Sequence, residues 1–240
     1  MEQQKITFAN RNGQGVTMAA FINFPDGFDA SLQYPAVIVA HPGGGVKEQT
    51  AGLYARKLAE QGFVTIAFDA SYQGESTGEP RHLENPCVRT EDISAVIDYL
   101  TTLPYVDNVR IGAMGICAGG GYAANAAIND RRIKALGTVS AVNIGAMLRN
   151  GWEGKGSSRD AFPLLEAGSQ ARTTEANGSA QVTFPLAPLK EEDAPSEELR
   201  KAWEYYRTPR CACSTAPSIA ASRSLTQLVT YDAFNMADVF

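Results

Sequence analysis

The sequence predicts a three-layer α/β domain around a mostly parallel central sheet. Residues 36–40 and 64–68 are apolar or β-branched at every position, which is typical of strands that are covered on both faces. Segments with helical spacing separate these strands from each other and from two later ones. Because strands and helices alternate in this order, a parallel sheet with helices on its faces is favoured.

An antiparallel ribbon is predicted at the start of the chain. Residues 5–9 and 16–23 have the composition of strands, and the turn formers Asn12 and Gly13 lie between them. A second turn, from Pro25 to Gly27, leads into the first buried strand.

The helices and later strands follow from apolar spacing and from glycine positions. A first helix is predicted over residues 47–61, because Gly62 stands where a helix C-terminus favours glycine. A third strand, at residues 111–115, leads into a helix of small residues at 118–128, and a fourth strand is predicted at 135–142. A helix between the second and third strands has one apolar face, formed by Ile93, Val96, Ile97 and Leu100.

The regular alternation ends at Asn143. Residues 154–195 are rich in Gly, Ser, Glu and Pro without a sustained period, so we predict an irregular segment there. We therefore assign residues 1–145 to the core and residues 146–240 to an irregular and helical cap or insertion. Two helices are predicted within it. The first has an apolar face formed by Leu199, Trp203 and Tyr206, and the second carries Leu225, Leu228 and Val229.

Charge and composition exclude several classes of function. The chain has 21 basic and 26 acidic residues, a net charge of −5, without a run of like charges, so nucleic acid and anionic membranes are not expected partners. No apolar stretch approaches the ~18 residues of a membrane helix, and the polar N-terminus does not begin a secretory signal, which predicts a cytoplasmic protein. Four cysteines are too few for a disulfide scaffold, and Cys211 and Cys213 are too close for a zinc pair. No metal or cofactor is predicted.

The turn between the third predicted strand and the helix that follows it contains a candidate catalytic residue. Gly115-x-Cys117-x-Gly119 matches a nucleophile elbow with cysteine in the serine position. The sharp turn strains the central residue, and side chains two residues away on either side would collide, which explains the glycines. The turn also places the thiol at a helix N-terminus, where N–H groups and the dipole favour thiolate. Cys117 is the predicted nucleophile; the alternative is a small core residue in a Gly/Ala-rich packing helix.

A glycine loop follows the first buried strand. The run His41-Pro42-Gly43-Gly44-Gly45 is close to the H-G-G-G loop that donates one oxyanion-hole N–H in esterases. Proline has no N–H, so the predicted donors are Gly43 or Gly44, together with Ala118 after the nucleophile. The alternative is a flexible glycine turn.

These landmarks, with the segment from Asp69 to Gly78, resemble the α/β-hydrolase fold, and the cysteine elbow is most similar to the dienelactone hydrolase-like family. The third segment resembles that fold's D-x-R-G-x-G-x-S loop, and the likeness covers about residues 15–145. The resemblance implies attack on a small-molecule ester, lactone or thioester, with an acyl-enzyme released by water.

No histidine follows Cys117, although the fold orders its triad as nucleophile, acid and histidine. We therefore expect a chain that is truncated before the acid and the histidine. His82 is a candidate surrogate base, because its loop opens on the same face of the sheet as Cys117; the alternative is a solvated loop histidine. Asp69 and Glu75 are expected to hold their own loop by accepting backbone N–H groups.

Other interpretations remain open at this point. A nucleotide-binding fold is disfavoured, because the glycines follow a late strand and neither G-x-G-x-x-G nor a P-loop occurs. A non-catalytic protein that uses the hydrolase sheet for binding or thiol sensing is the main rival. An incomplete sheet would expose an edge and favour a homo-oligomer. Four aromatic residues are candidates for an acyl pocket or for plain packing: Trp203, Tyr205, Tyr206 and Phe234.

Overall fold

The central sheet of the computed structural model, which describes residues 2–240, has six strands in the order β1-β2-β4-β3-β5-β6. The pairs β3–β4, β3–β5 and β5–β6 are parallel, whereas β1–β2 and β2–β4 are antiparallel. The predicted mostly parallel sheet with an antiparallel N-terminal ribbon is therefore confirmed. The strands are β1 (Glu2–Ala9), β2 (Thr17–Phe24), β3 (Tyr34–Ala40), β4 (Val64–Phe68), β5 (Val106–Ile116) and β6 (Ile133–Val139).

Seven α-helices and a separate two-stranded antiparallel sheet, β7–β8, complete the described residues. The helices are α1 (Thr50–Ala59), α2 (Pro86–Leu100), α3 (Ala118–Asn129), α4 (Ile144–Asn150), α5 (Phe162–Ala176), α6 (Glu197–Arg207) and α7 (Leu225–Leu228). The small sheet pairs β7 (Thr183–Pro185) with β8 (Ile219–Ala221), and short 3₁₀ turns lie at Ser158–Ala161, Glu191–Asp193, Ser222–Ser224 and Ala237–Val239.

Helices cover both faces of the sheet, and successive residues of its central strands alternate between them. Ile38 of β3 belongs to the larger core, which also contains Ile93 of α2. Its neighbour Val39 packs in the smaller core with Ala51 and Ala55 of α1. Each face of a central strand is therefore buried, which explains why these strands are apolar at every position.

Two element boundaries differ from the sequence prediction for local reasons. Helix α1 begins at Thr50 rather than near residue 47, because the preceding residues form separate turns, in which the N–H groups of Gly45 and Gln49 donate to the carbonyls of Pro42 and Val46. Strand β6 ends at Val139 rather than at residue 142, because Ser140 has a φ of 47°, outside the extended range.

The predicted irregular segment at residues 154–195 is wrong over much of its length, because it contains helix α5. This helix packs through small residues: Gly168 and Ala171 are its buried positions, and Phe162 is 56% exposed. A Cβ on Gly168 would lie 2.9 Å from Thr226 Cγ2, so glycine permits close packing there. Such an interface leaves no hydrophobic period in the sequence.

The segment after residue 145 folds back onto the sheet domain. Ser224 Oγ accepts a hydrogen bond from the Glu84 N–H at 2.9 Å, and Gln181 Nε2 donates to the Arg81 carbonyl at 2.7 Å. The boundary at 145/146 stays a prediction. None of the helices in the described part of the chain has the length and apolar character needed to cross a membrane.

Candidate active site

Cys117 lies at the sharp turn between β5 and α3 with φ 55° and ψ −125°. A Cβ on Gly115 would come within 2.1 Å of the Gly119 carbonyl oxygen, and one on Gly119 within 2.4 Å of the His41 carbonyl oxygen. Both distances are far below van der Waals contact, so only glycine fits at these two positions. The chain therefore has the strand–turn–helix geometry that the sequence motif predicts, with the thiol at its apex.

The turn is held by backbone hydrogen bonds to the neighbouring strand and its loop. The Cys117 N–H donates to the Val139 carbonyl at 3.0 Å, and the Cys117 carbonyl accepts from the Val142 N–H at 2.9 Å. These bonds position the thiol above the C-terminal ends of the parallel strands, where α/β folds place their sites.

Burial raises the pKa of the Cys117 thiol. The Ala118 N–H and the charge of Arg89 act in the opposite direction, and Glu84 adds to the increase. The N–H group at the helix N-terminus favours the thiolate, as expected, but desolvation of the charged form outweighs it, so the net shift of the Cys117 pKa is upward.

The glycine loop lies beside the elbow. A Cβ on Gly43 would be 3.7 Å from Ala118 Cβ, and the Gly45 N–H closes a turn onto the Pro42 carbonyl at 3.0 Å. Within residues 2–240, the N–H groups of Gly43 and Gly44 donate to no acceptor. The structure thus brings Gly43 and Ala118 together and leaves the N–H groups of Gly43 and Gly44 unpaired.

A buried ion pair, which sequence reasoning missed, supports this loop and the nucleophile helix. Arg89 Nη1 donates to both oxygens of Glu84, at 3.0 and 3.2 Å, and Arg89 Nη2 donates to the His41 carbonyl at 2.7 Å. The Tyr122 hydroxyl of α3 donates to Glu84 Oε1 at 2.9 Å. One signal was available: Arg89 lies four residues before Ile93, on the apolar face of α2, where a charge requires a buried partner.

His41 is occupied by its own surroundings. Its Nε2 accepts a hydrogen bond from the Ala70 N–H at 3.1 Å, so Nδ1 carries the proton and donates to the Pro42 carbonyl at 2.7 Å. Burial lowers the pKa of His41 well below its usual value. A neutral imidazole with both nitrogens paired holds the loop and has no free site for a proton.

His82 lies in a loop that is fixed by backbone hydrogen bonds. Its backbone N–H donates to the Tyr72 carbonyl at 2.9 Å, and its carbonyl accepts from the Ala221 N–H at 2.8 Å. Burial lowers the pKa of His82, with a further decrease from Arg81 and an opposing effect of Glu79. His82 is not among the residues that line the cleft of the thiol, and its role as a base stays a prediction.

Asp69 holds its loop through backbone N–H groups, as predicted, whereas the Glu75 carboxylate accepts from the ammonium groups of Lys5 and Lys47 instead. Asp69 accepts the N–H groups of Lys47 and Glu75 at 2.8 and 2.9 Å. The Lys47 ammonium, fully buried, donates to Glu48, Asp69 and Glu75 at 2.7, 2.7 and 2.6 Å. The three carboxylates could form a metal donor set, but the ammonium already supplies the positive charge among them.

The thiol opens into a cleft of about 500 Å³ beneath α6. Tyr205 and Tyr206 line it, whereas the other two aromatic candidates, Trp203 and Phe234, do not. The Tyr205 hydroxyl shares a hydrogen bond of 2.8 Å with Thr50 Oγ1, which ties α6 to α1. The lining residues are Pro42, Thr50, Ile116, Cys117, Glu198, Lys201, Ala202, Glu204, Tyr205, Tyr206 and Arg210.

The model of the dienelactone hydrolase family matches residues 18–141, a range that contains both the glycine loop and the elbow. The chain belongs to the dienelactone hydrolase family. Among curated relatives, this family member is 65% identical over 240 residues to the uncharacterized protein YcjY of Escherichia coli K12, covering 100% of the chain and 78% of YcjY. It is 31% identical over 105 residues to the thiohydrolase aneE of Aspergillus aculeatus, covering 44% of the chain and 33% of that relative.

Solved structures agree with the fold. The crystal structure of the hypothetical protein PA2218 from Pseudomonas aeruginosa superposes with a TM-score of 0.88 at 35% identity, covering 96% of this chain and 72% of that one. The α/β hydrolase GrgF from a Penicillium species superposes with a TM-score of 0.76 at 20% identity, covering 98% and 75%; this likeness shows the fold alone. The family member described here is a dienelactone hydrolase-like α/β hydrolase.

Proposed function

We propose that this family member cleaves carboxylic ester, lactone or thioester bonds by using Cys117 as the nucleophile. The observation that carries the proposal is the thiol at the apex of the elbow, facing a cleft, with the Ala118 N–H next to it and the unpaired N–H of Gly43 in the loop that contacts Ala118. A nucleophile and an oxyanion site within reach of one reacting carbon are the two requirements of acyl transfer.

The proposed reaction begins with attack of Cys117 Sγ on the carbonyl carbon. The N–H groups of Ala118 and of Gly43 or Gly44 stabilise the oxyanion of the tetrahedral intermediate. Collapse breaks the bond to the leaving group, which departs with the proton that the thiol has lost. Water then attacks the acyl-thioester, releasing the acid and restoring the thiol.

The leaving group determines which substrates this arrangement favours. A thiolate leaves without a proton donor because its conjugate acid has a pKa of ~8.5, whereas an alkoxide requires one. Thioesters and activated aryl esters, whose leaving groups need no proton donor, are therefore the substrates with which we expect Cys117 to react most readily, and the similarity to a thiohydrolase supports the same class.

A thiol sensor is the rival function, and the electrostatics disfavour it. Redox-sensing cysteines have a low pKa and an accessible thiolate. Burial raises the pKa of Cys117 instead.

Acyl trapping tests the proposal. The protein is mixed with S-phenyl thioacetate or p-nitrophenyl acetate, quenched in acid, and mapped by peptide mass spectrometry. We expect one acetyl group on Cys117, absent in Cys117→Ala and retained in the control Cys87→Ala, which removes an exposed cysteine. Acetyl groups on Cys211 or Cys213 alone, or equal labelling of Cys117→Ala, would exclude Cys117 as the nucleophile.

A further inference from the structure

The His41 carbonyl, which begins the glycine loop, is held between two helices. From α2, Arg89 Nη2 donates to its oxygen at 2.7 Å. From α3, Gly119 packs so closely that a Cβ there would lie 2.4 Å from the same oxygen. Arg89 and His41 are both buried, so this contact lies in the interior. The position of the His41 peptide therefore depends on Arg89 from one side and on Gly119 from the other.

The next carbonyl, that of Pro42, determines the direction of the Gly43 N–H. It accepts from His41 Nδ1 at 2.7 Å and from the Gly45 N–H at 3.0 Å. The Pro42 carbonyl and the Gly43 N–H belong to one planar trans peptide, in which the two groups point in opposite directions. The Gly43 N–H therefore points away from the His41 ring, and it has no acceptor among residues 2–240.

Arg89 is itself held by Glu84. Its Nη1 donates to both carboxylate oxygens at 3.0 and 3.2 Å, while Nη2 is directed to the His41 carbonyl. The guanidinium also lies over the Tyr122 ring, 4.8 Å from its centroid. A planar fork joins a carboxylate and a carbonyl at a fixed spacing, which a single ammonium does not reproduce. Arginine is therefore the side chain that this arrangement requires.

Arg89 also keeps His41 in the form that bonds Pro42. Burial lowers the pKa of His41, and the charge of Arg89 is the next cause of the decrease. The imidazole is therefore neutral, with Nε2 accepting from the Ala70 N–H at 3.1 Å and Nδ1 carrying the proton.

We propose that Arg89 is a positioning residue, which holds the His41 carbonyl so that the Gly43 N–H is aimed at the oxyanion formed on attack by Cys117. The inference rests on the proposed function and deepens it. Arg89 acts through the backbone of the glycine loop, without touching the substrate. A Cβ on Gly43 would lie 3.7 Å from Ala118 Cβ, so a small shift of the loop would move one oxyanion donor relative to the other.

The test separates acylation, which forms an oxyanion, from alkylation, which does not. Both reactions need the Cys117 thiolate, so a changed thiol pKa affects them alike. Acetylation by S-phenyl thioacetate and alkylation by iodoacetamide are followed at Cys117 by peptide mass spectrometry. Arg89→Lys keeps the positive charge and removes the second nitrogen of the fork. Arg149→Lys is the matched control, because Arg149 also donates to backbone carbonyls, those of Val229 and Tyr231 at 2.6 and 2.8 Å, and does not line the cleft.

We expect Arg89→Lys to slow acylation roughly 10- to 100-fold, because a small misplacement of a group at a reacting centre has an effect of that size. Alkylation stays at the wild-type rate, and Arg149→Lys changes neither reaction. Equal changes in the two reactions, or alkylation as fast as in urea-unfolded protein, would show that Arg89 serves folding alone and would overturn the inference, as would unchanged acylation. Failure of the proposed function is a separate result: wild-type Cys117 would then be alkylated but not acylated.

Discussion

The protonation state of Cys117 is set by two opposing features of its position. The Ala118 N–H at the start of α3 stabilises a thiolate, but enclosure by the elbow and by α6 removes the water that a thiolate needs. The second effect dominates and raises the pKa. A group that accepts the thiol proton, or a substrate that tolerates slow attack, is therefore required for reaction near neutral pH.

This conclusion predicts the pH dependence of thiol alkylation. Because a raised pKa keeps the thiol protonated, the rate at Cys117 should continue to increase with pH above ~8.5, where an ordinary thiol is half ionised and its rate begins to level off. Peptide-resolved iodoacetamide labelling measures the rate, and the same peptide in urea-unfolded protein is the control. A plateau below neutral pH in the folded protein would contradict the prediction.

The Arg89–Glu84 pair should be a strong determinant of stability. Both side chains are nearly inaccessible, at 2% and 3% exposure. Arg89→Met leaves the Glu84 carboxylate buried without its partner, so we expect a loss of about 3–5 kcal/mol in the free energy of unfolding by urea. Arg110→Met, which breaks the exposed pair with Asp107, is the matched control and should cost less than about 1 kcal/mol. Similar losses in the two variants would refute a special role for the buried pair.

At the scale of elements, the junction of β5 and α3 tolerates no side chain at Gly119. A Cβ there would meet the backbone carbonyl oxygens of Ala40 and His41 at 2.6 and 2.4 Å, and neither can move without displacing β3. Gly119→Ala should therefore lower stability by about 1–3 kcal/mol or more, as overpacking does. Gly137→Ala in β6 is the control, since its Cβ would be 4.0 Å from Met114 Cγ. Thermal melts compare the two, and equal melting temperatures would contradict this account.

The glycine loop offers a test in which one N–H is removed while the loop's shape is controlled. Gly43→Pro deletes the donor, whereas Gly43→Ala keeps it and adds a methyl group in ordinary contact with Ala118. We expect Gly43→Pro to slow Cys117 acylation by ~10²–10³, the usual effect of losing one oxyanion donor, and Gly43→Ala to stay near wild type. Both variants are first checked by circular dichroism. Unchanged acylation in a folded Gly43→Pro variant would leave Gly44 as the loop donor.

At the scale of the whole molecule, one buried carboxyl links three separate segments. Asp92 of α2 accepts hydrogen bonds from the N–H and hydroxyl of Ser71 and from Asn10 Nδ2, at 2.8, 2.6 and 2.8 Å. These bonds join α2 to the loop after β4 and to the turn after β1. Burial raises the pKa of Asp92 to about 6, although the bonds from Ser71 oppose the shift.

The raised pKa of Asp92 predicts how stability depends on pH. Between the unfolded pKa of ~3.9 and the folded value near 6, the folded state binds more protons, so this group makes stability fall as pH rises through that window. The loss is about 3 kcal/mol, complete above pH ~6. Asp92→Asn removes this contribution, so the difference between wild-type and variant unfolding free energies should change by that amount between pH 4 and 7. Parallel stability profiles would contradict the prediction.

Features that depend on neighbours in the chain could be predicted from the sequence. The buried strands, the ribbon and the elbow all follow from short-range patterns: β4 was predicted at its observed bounds, and the glycines around Cys117 mark the turn because backbone sterics act within a few residues. Helix α5 could not be predicted in the same way. Its interface consists of Gly168 and Ala171, and small buried residues carry no amphipathic signal.

Only the tertiary structure decides what surrounds the thiol. Glu84 and Arg89 are five residues apart in sequence, but they act on Cys117 because α2 lies beside the glycine loop. Tyr206 of α6, which lies 89 residues after Cys117 in the sequence, lines the same cleft. Burial is a property of all packed elements together, so the direction of the Cys117 pKa shift reverses what the helix N-terminus alone predicts. The sequence by itself determined the family, the turn and the residue at its apex; long-range packing decided the electrostatic environment in which that residue works.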